Sequence, residues 1–124
     1  MYNRCVEFET LKDKVLKEVT VGSDNITFIT DNGEVYNMYH DQDCCESVYI
    51  ESVVGDIEDI IGVPLLIAEE STSGENPEGA EVSEYQDSFT WTFYKLATIK
   101  GYVDIRWYGE SNGYYSESVS LYKA

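Results

Sequence analysis

The sequence predicts an α+β domain, mostly antiparallel β-sheet with one or two short helices, forming a single compact domain over residues 1–124. Three observations lead there. Runs of β-branched and aromatic residues with period-two alternation recur along the chain. Asn-Gly turn signals stand between them, and helix-like spacing is confined to two brief stretches. At 124 residues the chain has the size of one ordinary domain, able to close a core without metal or disulfide staples.

The elements follow in order. From Glu7 to Leu16, apolar Phe8, Leu11 and Val15 recur at helix-like intervals, which predicts a short helix or helical turn. NITFIT (25–30) and EVYNMYH (34–40) flank Asp31-Asn32-Gly33, whose Asn-Gly supplies positive-φ residues for a hairpin turn. SVYIESVV (47–54) alternates as another strand. GDIEDIIGVP (55–64) predicts a short helix: Asp56 is the N-cap, Glu58 and Asp59 suit the positive end of the helix dipole, and Ile57, Ile60 and Ile61 share a face. Gly62 offers a left-handed C-cap, with Pro64 just beyond. LLIAEE (65–70) reads as a buried strand. The Gly-, Ser- and Glu-rich stretch at 71–87 has no periodicity and predicts a mobile acidic loop. SFTWTFYKLATIKG (88–101) and YVDIRWYGE (102–110) are the most strand-like stretches, joined through Gly101. Ser111-Asn112-Gly113 then starts a second hairpin into YYSESVSLY (114–122). No repeat or domain boundary is evident.

Composition restricts the function. Apolar residues make up 43% of the chain and aromatic ones 14%, too many for wholesale disorder. No stretch has the apolar length needed to span a bilayer, and the N-terminus has no apolar signal-peptide centre, so a soluble cytosolic protein is expected. Twenty-four acidic residues against eight Lys and Arg give a formal charge of −16. That field opposes a nucleic-acid polymer as partner, since such affinity comes largely from cations that displace counterions. A small anion remains possible where a few cations and N–H groups converge, and a basic protein partner is the rival. Cys5, Cys44 and Cys45 make an odd count. Adjacent cysteines rarely bond to each other, so reduced thiols are expected.

Two constellations bear on chemistry. His40-Asp41-Gln42-Asp43-Cys44-Cys45-Glu46 gathers imidazole, thiol and carboxylate groups. Its spacing is poor for structural zinc, and no second histidine exists; the plainer reading is a strand end with local hydrogen bonds. Nor does a Cys44–His40 pair come with an orienting group or oxyanion donor. No Walker loop, GxGxxG or GxSxG elbow occurs, so neither enzyme activity, metal nor cofactor is expected.

The C-terminal cluster is more informative. In strand geometry Asp104, Arg106 and Tyr108 share one face, while Val103, Ile105 and Trp107 share the other and look like core. Trp91, Phe93 and Lys95 alternate likewise. Such rings can stack a nucleobase, and Arg106 can give a diphosphate two parallel N–H donors. Asn112, Gly113 and the following serines add donors. The alternative is an aromatic half-core with Arg106 paired to Asp104 or to a neighbouring strand's acid.

Four blocks carry a resemblance: DNGEVYNMYH (31–40), HDQDCCESVYIE (40–51), GDIEDIIGVPLLIAEE (55–70) and WTFYKLATIKGYVDIRWYGESNGYYSESV (91–119). In this order they resemble a phage and prophage domain of unknown function that includes the first-described type of Thoeris anti-defence sponge. The resemblance implies a non-enzymatic protein in the host cytosol during infection, which captures cyclic ADP-ribose isomers such as glycocyclic ADP-ribose and so keeps TIR signalling silent. It also implies a homo-oligomer with pockets at subunit boundaries, and in some members a separate site for cyclic oligonucleotides. On this reading Arg106 takes phosphate, Phe93, Trp107 and Tyr108 hold or wall the base, and Asn112 with Tyr115 meets sugar or phosphate. Phe89 and Trp91 are further stacking candidates. The rival expectation is an acidic inhibitor that covers a basic face of a host nuclease or another basic defence protein.

Overall fold

Two antiparallel sheets meet face to face across one apolar core. The computed structural model describes residues 4–42, 45–73, 88–111 and 116–124. Among the described residues the strands are β1 (Arg4–Val6), β2 (Leu16–Val21), β3 (Asn25–Thr30), β4 (Val35–Tyr39), β5 (Ser47–Gly55), β6 (Ile67–Ser73), β7 (Ser88–Thr98), β8 (Gly101–Ser111) and β9 (Ser120–Lys123). One sheet has the order β1-β9-β4-β3-β2 and the other β5-β8-β7-β6. The chain builds most of the first sheet, then all of the second. It returns with β9, which inserts between β1 and β4.

The core joins both inner faces. Ile26, Phe28, Tyr36, Met38 and Leu121 come from the first sheet; Tyr94, Leu96, Val103, Ile105 and Trp107 come from the second. Their spacing is the period-two pattern expected of half-buried strands. Phe8 and Leu11, which the sequence placed on a short helix or helical turn, are buried in the same cluster. Phe8 sits against Tyr94 with ring centroids 4.5 Å apart.

The expected helices reduce to single 3-10 turns, Phe8–Leu11 and Ile57–Ile60. The mostly antiparallel sheet of the expected α+β fold is therefore present, and among the described residues its helical part is not. At the second turn the local signals are as read. Asp56 caps it by accepting a hydrogen bond from the Glu58 N–H at 3.0 Å, and Gly62 has φ +88°. The turn ends after Ile60 because Ile61 is already extended, at φ −110° and ψ 140°. Four residues cannot propagate a helix unaided, and here packing of Ile60 into the core replaces further turns.

Other boundaries also move. β2 (Leu16–Val21) begins where the expected helical stretch ends, and no sequence signal had been read there. The strand expected at 65–70 lies at 67–73 and forms the sheet's edge, with Glu69 and Glu70 exposed, so it is not a buried strand. Residues 71–73 of the expected acidic loop thus belong to β6, and 74–87 lie outside the described residues. The hairpin at 31–33 forms: Gly33 (φ +91°) donates to the Thr30 carbonyl at 3.1 Å, and the Thr30 N–H donates to the Glu34 carbonyl at 2.9 Å. Only the glycine is left-handed, which marks a three-residue loop in place of a two-residue Asn-Gly turn. Finally, β9 does not pair with β8 as a second hairpin would require. It crosses to the other sheet.

Candidate functional site

The β7–β8 hairpin sets the site. Its register pairs Trp91 with Tyr108, Phe93 with Arg106, and Lys95 with Asp104, so these six side chains share the outer face of the second sheet. On the flanks, β5 places Tyr49 opposite Tyr108, and β6 places Ser71 opposite Phe93 and Glu69 opposite Lys95.

A β-bulge completes the arrangement. Ile50 pairs with Trp107 and Ser52 with Arg106, leaving Glu51 as the extra residue between them. Ile50 and Val53 both pack against the core although they stand three positions apart. Strict alternation would turn Ser52 inward; the bulge instead brings both Glu51 and Ser52 to the arginine. Arg106 Nε donates to Glu51 Oε2 at 2.5 Å. That bond is the main reason the Glu51 carboxyl is held below its ordinary range and the Arg106 guanidinium above its own. The guanidinium also stands 5.0 Å from the Trp91 ring centroid, a cation–π distance. The two side chains remain 28% and 31% exposed, so water still reaches the pair.

Beside this pair opens a cavity of about 570 Å³. Phe93 and Ile105 lie on its lining with Arg106, while Ser52, Ser71 and Val54 contribute to the walls. Its charged lining is Glu9, Glu69, Glu70 and Asp104 against Lys95 and Arg106, a formal balance of −2. Burial, and after it the neighbouring Glu70 carboxylate, pushes the Tyr94 phenol far above its ordinary range, while its hydroxyl donates to the Val119 carbonyl at 3.5 Å.

The expected site residues divide into four groups. Phe93 and Arg106 are side by side at the cavity. Phe89, Trp91 and Tyr108 form a ring cluster next to it: Trp91 and Tyr108 centroids are 4.7 Å apart, and Phe89 and Tyr108 6.4 Å. Within it Trp91 and Tyr108 are only 1% and 3% exposed, so this cluster supports Arg106 and leaves Phe93 as the ring the cavity reaches. Tyr108 donates to Glu110 at 3.1 Å; burial first, and that bond second, raise its pKa well above normal. Trp107 is fully buried in the core on the opposite face of β8, and the structure does not bring it to the cavity. Asn112 and Tyr115 lie outside the described residues.

The polar segment at 40–46 is knitted locally. His40 Nδ1 donates to the Ser118 carbonyl at 2.6 Å, and its Nε2 stands 3.5 Å from Glu46 Oε2. Gln42 donates to the Glu46 carbonyl and to Glu46 Oε1. These bonds tie the end of β4 to the segment that enters β9. Among the described residues no group of three or more His, Cys, Asp or Glu is placed to hold a metal. Cys44 is outside the described residues. Cys5 is a free, exposed thiol, but Cys45 is disulfide-bonded, which corrects the expectation of reduced thiols there.

Sequence reading missed Glu51, Ser52 and Glu69. The broken alternation in Tyr-Ile-Glu-Ser-Val-Val (49–54), with apolar residues three apart, was the available sign of the bulge. No local sign pointed to Glu69 as a wall.

A family model described as a domain of unknown function, DUF7448, matches residues 9–121. The chain belongs to that family. Comparison with curated proteins and with solved structures finds no match. The DUF7448 match takes in every strand of the second sheet, and with it the whole Arg106 cavity.

Proposed function

We propose that this DUF7448 protein is a phage anti-defence sponge: it binds a cyclic ADP-ribose isomer of the glycocyclic type without degrading it, and so blocks Thoeris signalling in the host cytosol. The reading draws on the resemblance of its four sequence blocks. The structural observation that carries it is the pairing of Phe93 with Arg106 beside an open cavity of about 570 Å³. That volume is within the range of small-molecule sites. Phe93 offers a face for adenine, worth about 1–3 kcal/mol. Arg106 and Lys95 serve the diphosphate, while Glu69, Asp104 and the two serines accept from or donate to ribose hydroxyls. Capture needs no nucleophile or general base, only a site that loses little entropy on closing. A homo-oligomer with this face at a subunit boundary, and a second site for cyclic oligonucleotides, belong to the same proposal.

The test is native mass spectrometry of the protein with a panel of cyclic ADP-ribose isomers, followed by heat denaturation. Retention of one isomer and its release chemically intact is the expected result. A changed product would mean an enzyme, and retention of none would remove the reading. The excess of acids on the cavity favours a second reading, an inhibitor of a basic host protein such as a nuclease. That reading requires protein binding that weakens steeply with salt and is indifferent to Arg106→Ala.

A further inference from the structure

We infer that Glu51 is a built-in counter-ion that occupies the anion position on Arg106, so that the site admits linked phosphates and turns away single carboxylates. The inference rests on reading the Arg106 cavity as a nucleotide site. Three features carry it.

The first is placement. The bulge in β5 sets Glu51 and Ser52 together against one arginine, where a regular strand would offer a single side chain. The second is how the arginine is engaged. Among the described residues the ion pair uses Nε, and no hydrogen bond engages the terminal nitrogens of the guanidinium. Those nitrogens form the fork that suits paired phosphate oxygens. The third is support. Trp91 lies under the guanidinium, with the cation 5.0 Å from the ring centroid, so Arg106 keeps its position when Glu51 lets go.

Competition then sets the specificity. Glu51 is tethered beside Arg106, so its effective concentration is far above that of any free carboxylate, and an acetate-like group brings nothing that Glu51 lacks. A diphosphate brings two charges and a bidentate fit. Because the ion pair is partly exposed, it is weak enough to be exchanged. Ser52, on the cavity wall, remains as a hydroxyl donor after the exchange.

The experiment compares wild type, Glu51→Gln, Glu51→Ala and Arg106→Ala, each checked for folding by thermal melting. The probes are inorganic pyrophosphate, acetate and the cyclic ADP-ribose isomers. Both Glu51 variants are expected to bind pyrophosphate and the isomers about tenfold tighter than wild type, since the competing pair and the repulsion vanish together. Acetate binds wild type no more tightly than solvent exchange allows, and Arg106→Ala loses pyrophosphate. If wild type binds an isomer and the folded Glu51 variants bind it equally or less well, the inference is overturned and the sponge reading stands. If wild type binds pyrophosphate, the Glu51 variants bind it more tightly and none of the proteins retains an isomer, the inference stands and the sponge reading falls; if only the Glu51 variants bind any probe, the wild-type site does not admit linked phosphates and the inference is overturned. If folded proteins of all four types bind neither pyrophosphate nor any isomer, both are overturned.

Discussion

Glu34, at the start of the return strand of the first hairpin, holds three partners with one carboxylate. Lys14 Nζ donates to Oε1 at 3.0 Å, Lys123 Nζ lies 2.8 Å from Oε2, and the Tyr36 hydroxyl donates to Oε2 at 3.3 Å. Lys14 precedes β2 and Lys123 ends β9, so the carboxylate ties two distant parts of the chain to one turn. Replacing Glu34 by Gln removes both ion pairs and keeps the shape. With side chains 22% to 33% exposed, each pair is worth about 0.2–1 kcal/mol, which predicts a loss of about 1 kcal/mol and at most about 2 at pH 7. The hydrogen bond from Lys123, then that from Lys14, depresses the Glu34 carboxyl from its ordinary 4.5 to about 2. Taken in full that depression would correspond to about 3 kcal/mol, and solvent screening reduces it to the smaller figure.

The pH dependence follows from the direction of the shift. Between pH 4.5 and 2 the unfolded chain binds a proton at Glu34 that the folded chain does not, so stability rises with pH across that window. The contribution is fully present above 4.5 and lost as pH falls through about 2. Urea unfolding of wild type and Glu34→Gln, followed by tryptophan fluorescence at pH 7, 5, 4, 3 and 2.5, reads the difference directly. A gap of about 1 kcal/mol, equivalent to about 4 °C in Tm, should hold down to about pH 5 and close below it. An undiminished gap at pH 2.5, or none at pH 7, would refute the assignment of stability to these ion pairs.

Three further outcomes are expected. A double-mutant cycle on Arg106→Ala and Glu51→Ala, read by urea unfolding, should give a coupling of no more than about 1 kcal/mol, since both side chains meet water; a coupling above about 2 would make Glu51 too firmly held to be exchanged. Phe93→Ala should weaken binding of the retained cyclic ADP-ribose isomer by about five- to a hundredfold in isothermal titration; unchanged affinity would place the base elsewhere. Gly109→Ala should destabilise by about 1–3 kcal/mol in the same unfolding assay. A Cβ there would stand 2.9 Å from the Glu117 carbonyl oxygen and 3.0 Å from its Cβ. Yielding would disturb the Glu117 carboxylate, which accepts from Thr90 at 2.8 Å and Ser111 at 2.6 Å. A variant as stable as wild type would show that the segment at 116–119 is not held against β8.

The strands around the site were legible because their signals are local. Alternation in Asp104-Ile105-Arg106-Trp107-Tyr108 assigns each side chain to a face without knowledge of the neighbours, and the structure buries Ile105 and Trp107 as that alternation requires. The same logic shows why Trp107 was a poor candidate for the ligand: its place in the alternation already put it with the core. At Phe8 and Leu11 the spacing left a short helix and a helical turn both open, and the structure has the turn. A three-residue interval fits a single 3-10 turn as well as an α-helix, and core contacts decide between them.

What the sequence determined by itself, then, is most of the strands, the turn capped by Asp56, the Gly33 hairpin and the face that Arg106 shares with Asp104 and Tyr108. Each depends on residues within a few positions of one another. Tertiary structure alone decided that β9 enters the first sheet and that β6 forms an edge. It also decided that a bulge delivers Glu51 to Arg106 and that rings at Trp91 and Tyr108 are covered while Phe93 stays open to a cavity. The reason is physical: pairing between segments tens of residues apart is chosen by the joint burial of both sheets' apolar faces, and that choice is a property of the whole core.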